Sequence, residues 1–181
     1  MPISKPATGI VAVLAAIVIV AIAVLVMRER EPEPVVTNYD ECVAAGYPVA
    51  ESYPPQCFTP DGRSFTQDIG NELDMGDKIF VSTPRPNALV SSPMLIEGEA
   101  RGFWYFEASF PARLYDANGK EIAVMPVMTT HEWMTEEFVP FSVEMDFPEP
   151  ETATGTLVLE RDNPSGLPEY DESLRIPIKF R

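Results

Sequence analysis

Residues 10–27 read IVAVLAAIVIVAIAVLVM, eighteen positions without one polar or charged side chain. As a helix rising 1.5 Å per residue, the run is about 27 Å long, close to the thickness of a bilayer's hydrocarbon core. A helix of a soluble domain of this size ordinarily shows a polar stripe to water, and this one has none. A cleaved signal peptide is the rival account, since Ala21-Ile22-Ala23 offers small residues for a cut. The apolar run continues past that point to Met27, so an uncleaved span is the simpler account. The sequence therefore predicts a short tail over 1–9, a transmembrane helix over 10–27, and the rest of the chain outside the cytoplasm. Flanking charge says little about orientation, with Lys5 on one side and Arg28 and Arg30, each beside a Glu, on the other.

Every Asp and Glu lies after Met27, and the chain's net charge is −15. Nucleic acid and anionic lipid surfaces are poor partners for such a field, because neutralising phosphates needs clustered Lys and Arg. Nineteen prolines and ten glycines among many Val, Ile, Phe and Tyr describe short strands cut by turns. The expectation is a mainly β protein.

Residues 28–37, RERE followed by PEPVVT, form a Pro/Glu-rich stalk that should be extended and semi-rigid. Residues 38–66 then form a small module. Asn38 with Glu41 three positions on is a helix start, Gly46 suits the residue just past its end, and Asp61-Gly62 marks a hairpin turn. The chain has two cysteines, Cys42 in the helix and Cys57 in the hairpin. Their spacing fits neither a redox pair nor a zinc site, so a structural disulfide is expected, closing a loop worth roughly 3 kcal/mol.

Residues 67–77 read as a polar linker, and 78–181 as alternating strands. In 104–114 the even positions Trp104, Phe106, Ala108, Phe110, Ala112 and Leu114 are apolar; Val139, Phe141, Val143, Met145 and Phe147 alternate likewise, as do Leu174, Ile176, Ile178 and Phe180. Shorter runs at 78–83, 94–100, 121–128 and 156–160 complete about seven strands, the count of a two-sheet sandwich. Asp116-Ala117-Asn118-Gly119 is a hairpin turn, either a two-residue Asn-Gly loop or a type I turn closed by Gly119 as a bulge.

Ser92-Pro93-Met94-Leu95-Ile96-Glu97-Gly98-Glu99-Ala100, then Phe106-Glu107-Ala108, then Asp116-Ala117-Asn118-Gly119, resembles the immunoglobulin-like domain associated with GerM-type proteins of bacterial spore germination. The resemblance implies an extracytoplasmic β-sandwich at a bacterial envelope, with no catalytic residues to carry over. The 38–66 segment is similar to a small two-cysteine module of bacterial membrane-anchored proteins. Its Cys57-to-Phe65 string faintly resembles the core of Kazal-type protease inhibitors, although those domains have six cysteines.

If 104–114 alternates throughout, Phe103, Tyr105 and Glu107 point away from the core and form a surface able to stack on a sugar or a partner's side chain. Asp162, Asn163 and Asp171 are a weak Ca²⁺ candidate without EF-hand spacing; no metal and no cofactor is expected. His131 is the single histidine, and its His-Glu-Trp-Met-Thr context lacks the second histidine of a zinc protease. The sequence predicts a non-catalytic binding or structural module at the cell membrane, with a cell-wall polymer or envelope protein as partner. Protease inhibition and carboxylate-based glycan hydrolysis are the alternatives.

Overall fold

Strand period and turn chemistry decide most of the architecture, visible in a computed structural model that describes residues 16–22 and 34–181. Residues 16–22, within the apolar run, form a helical piece, α1. Among the described residues no helix is long and apolar enough to cross a membrane, and the remainder of the expected span lies outside them. Beyond α1 the described residues fall into two compact units: one takes in 34–51 and Gln56–Phe65, the other Ser52–Pro55 and Thr66–Arg181.

In the first unit, α2 (Tyr39–Ala44) begins at Asn38, whose side chain accepts from Glu41 N at 2.9 Å. The Glu41 carboxylate accepts from the backbone and hydroxyl of Thr37 at 2.7 and 2.8 Å. Those two bonds lower its pKa, the hydroxyl's contributing most. This is a capping box reaching one residue farther back than the usual one. Gly46 follows the C-cap Ala45 at φ +78°. A three-stranded sheet, β1 (Val49–Ala50), β2 (Gln56–Phe58) and β3 (Ser64–Thr66), turns at Gly62 between its last two strands. Cys42 and Cys57 are joined, 6.1 Å apart at Cα, and fully buried beside Val36. The Arg63 guanidinium ties the hairpin to the Val36 carbonyl at 2.7 Å.

The second unit is a sandwich. One sheet has the order β5 (Leu89–Val90), β11 (Ser173–Phe180), β10 (Thr154–Glu160), β7 (Ser109–Asp116), β8 (Glu121–Met128); the other is β4 (Ile79–Thr83), β6 (Met94–Arg101), β9 (Phe138–Met145). The eighth strand, beyond the seven expected, is the two-residue β5, which pairs parallel to β11. A single core joins the two sheets, with Ile79, Ile96, Phe141 and Met145 on one side and Phe110, Leu114, Leu157, Ile176 and Ile178 on the other. The Phe110 and Phe141 rings meet edge to face at 5.3 Å between the sheets. At the β7–β8 hairpin Gly119 alone takes a positive φ, +79°, and the register shifts beside Leu114, so the type I turn with a glycine bulge is the form adopted.

Residues 67–77 are not a free linker. They belong to the second unit, contain α3 (Glu72–Met75), and bury Ile69 and Glu72. Asn71 works like a strand residue at the margin of β11: its amide donates to Ser173 O at 2.8 Å and accepts from Arg175 N at 2.7 Å. The Glu72 carboxylate pairs with Arg85 and accepts from the Tyr53 hydroxyl. Burial, followed by the hydrogen bond and charge of Glu72, pushes the Tyr53 phenol up to about 12.

Candidate functional site

The strand expected from Trp104 starts only at Ser109, because β6 is followed by a 3-10 turn over Gly102–Trp104. Three residues per turn replaces the two-residue period, so neighbours no longer point to opposite faces. Trp104 and Tyr105 are both buried, while Phe103 and Phe106 are 45% and 41% exposed. This corrects the expected surface: Tyr105 is a core residue, and Phe106, expected inside, takes its place outside. The Tyr105 hydroxyl donates to Val139 O at 2.9 Å, and burial holds its pKa well above the usual phenol range.

Phe106 and Ser109 exchange backbone hydrogen bonds of 2.9 and 3.1 Å around a two-residue turn, Glu107-Ala108. Both turn residues have positive φ, 51° and 62°. Asn-Gly is the usual occupant of such a turn, and non-glycine residues there cost about 1 kcal/mol each. Three loops meet around it. Thr129 N donates to Ala108 O at 3.0 Å, Gly102 N to Glu137 O at 3.1 Å, and Asp162 N to Trp104 O at 3.0 Å. Arg161 donates to Phe103 O at 3.2 Å and lays its guanidinium 5.4 Å from that ring's centre. Gly102 permits this convergence, since a Cβ there would lie 2.0 Å from Thr135 O. Met134, Leu167 and Tyr170, on the same loops, are also exposed.

The calcium candidates do not assemble a ligand set. The Asn163 amide donates to Asp171 Oδ1 at 2.8 Å and Leu167 O at 2.9 Å, and its oxygen accepts from Ser165 at 2.6 Å. Asp162 faces Glu107 instead: burial first, then the Glu107 charge, raises its pKa. Among the described residues no three His, Cys, Asp or Glu side chains come together as an ion site.

A groove that the sequence reading did not single out lies on the outer face of β4, β6 and β9, with a volume of about 650 Å³. Phe80 from β4, Glu97 and Glu99 from β6, and Pro140 and Ser142 from β9 line it, and the chain leaving β8 walls it at Met128 and His131. Its signal was present in the pattern: Phe80 and Pro140 are apolar residues at positions that alternation assigns to solvent.

No curated protein and no solved structure matches the chain. One family does, over residues 78–166, described as an immunoglobulin-like domain of bacterial spore germination. The match begins just before β4 and ends inside the loop that follows β10. Residues 78–166 thus match an immunoglobulin-like domain of the bacterial spore germination type, within a two-sheet sandwich that β11 completes.

Proposed function

We propose that the protein is a non-catalytic binding module displayed outside the cytoplasm of a bacterial cell, tethered by the 10–27 run, with a cell-wall polymer or an envelope protein as its ligand. The observation that carries this reading is the loop end of the sandwich. Three loops tied together by backbone hydrogen bonds present Phe103 and Phe106 around a turn held in an unfavourable backbone conformation. Strain of this kind persists where the surroundings enforce it, and it concentrates at ligand-contacting sites. The immunoglobulin-like domain type supports binding rather than turnover.

The test is co-sedimentation of the full chain, in mild detergent, with purified sacculi. Retention of the wild type, lost in Phe103→Ala/Phe106→Ala at unchanged melting temperature, is the expected result. Retention that survives the double substitution would remove the loop end from the reading. A wild type that stays in the supernatant would remove the wall polymer and leave the envelope protein, to be captured by photo-cross-linking from position 106.

A further inference from the structure

The groove on the outer face of β4–β6–β9 is a second site, separate from the loop end, and we infer that it takes an extended peptide segment with Lys or Arg at alternate positions. The sheet's register arranges its chemistry in two rows. Phe80, Glu99 and Pro140 stand opposite one another across three strands, so one carboxylate is flanked by two apolar side chains. In the next row Glu97 faces Ser142, whose hydroxyl donates to Glu97 Oε1 at 3.0 Å and fixes that carboxylate. Ser82 donates to the Glu97 carbonyl at 3.1 Å from the other neighbour.

Glu97 and Glu99 are two residues apart on one strand, so their side chains leave the same face about 7 Å apart. An extended chain places its own i and i+2 side chains at that same spacing, so two cationic side chains on one of its faces meet the two carboxylates in register. Phe80, Pro140 and the exposed Met128 supply walls for the aliphatic stems of such side chains, which bury their methylenes while the head stays polar. No Lys or Arg is among the groove's lining residues. Arg85, stacked 5.1 Å from the Phe80 ring, is already committed to Glu72. The chain's net charge of −15 favours a cationic over an acidic segment as the occupant.

The probe is the pentapeptide Ac-Ala-Lys-Val-Lys-Ala-amide, titrated by calorimetry against the full chain in detergent, with Ac-Ala-Lys-Lys-Val-Ala-amide as the spacing control. The alternating peptide is expected to bind more tightly than the control, with affinity falling as salt rises from about 0.05 M to about 0.5 M. Glu97→Gln/Glu99→Gln should weaken it by about tenfold or more while the melting temperature stays put. Phe103→Ala should leave it unchanged. Equal affinity for the two peptides, no binding by the wild type, or a double Gln variant that binds as before would each overturn the assignment. Loss on Phe103→Ala instead would move cation binding to the loop end and equally overturn it.

Discussion

Tyr105 and Val139 are linked across the interior, the phenol hydroxyl donating to the backbone carbonyl of the edge strand β9 at 2.9 Å. The bond anchors the segment between the 3-10 turn and the strained turn to the opposite sheet. Tyr105→Phe removes this one buried hydrogen bond, which should cost about 1 kcal/mol in urea unfolding. Tyr105→Ala also removes a ring packed edge to face on Phe110, and should cost about 3–5 kcal/mol. A Tyr105→Ala variant as stable as the parent would show that the side chain is not in the core.

Glu107 and Ala108 occupy the two central positions of their turn with positive φ. Glu107→Asn with Ala108→Gly installs the residues that adopt this conformation readily, and should raise the stability by about 1–2 kcal/mol. Glu107→Asn also relieves the repulsion on Asp162. An unchanged or lower urea midpoint would mean that the turn is not strained. If the loop end binds ligand, the same variant should bind more weakly, because Glu107 is lost from the surface.

Asp162 has a raised pKa, so the folded state holds its proton to higher pH than the unfolded chain does. The sign follows directly. Below the ordinary Asp range both states are protonated and the group is neutral in its effect; as pH rises through that range and past the folded value, ionisation counts against folding. Asp162→Asn should therefore melt higher than the wild type at pH 7, with the difference shrinking to nothing near pH 3. A gain that persists unchanged at the acid end would assign it to some cause other than the charge.

Glu72 is nearly buried and Arg85 is its cationic partner. Removing Arg85 takes the cation from a nearly buried carboxylate that keeps only the Tyr53 hydroxyl, so Arg85→Ala should destabilise by about 1–3 kcal/mol, less than for a fully buried pair because the guanidinium is partly exposed. Part of that loss comes from stripping the guanidinium off the Phe80 and Tyr53 rings. Arg85→Ala/Glu72→Gln should recover some of the loss, since the orphaned charge is gone. A double variant less stable than Arg85→Ala alone would contradict this account.

Period-two patterning announced the inner faces of β4, β6, β9 and β11 directly, because one face of each lies against the core: Val139, Phe141 and Met145 are buried while Pro140, Ser142 and Glu144 are exposed. The cysteine pair was legible by count, and Asn38 and Gly46 by capping chemistry. The pattern misled at 104–108. Trp104, Phe106 and Ala108 alternate in sequence, but backbone hydrogen bonding closes a 3-10 turn and a two-residue turn there, and the even set splits between core and surface. Residues 67–77 read as polar because much of their work is hydrogen bonding to β11 by Asn71, which hydropathy cannot register. The groove depends on which residues stand opposite one another on three strands, and register between strands distant in sequence is absent from any single-strand pattern.

The place of β11 has a consequence for anyone cutting this gene into pieces. The family match stops at residue 166, whereas β11 runs from Ser173 to Phe180 and lies between β5 and β10. A fragment ending at the match would strip Leu174, Ile176, Ile178 and Phe180 from the core and turn β10 into a bare edge, its inner Leu157 and Leu159 open to water and its backbone free to recruit a neighbour's strand. The matched stretch is smaller than the folding unit: such a fragment would be expected in the insoluble fraction, and one extended through Arg181 in the soluble.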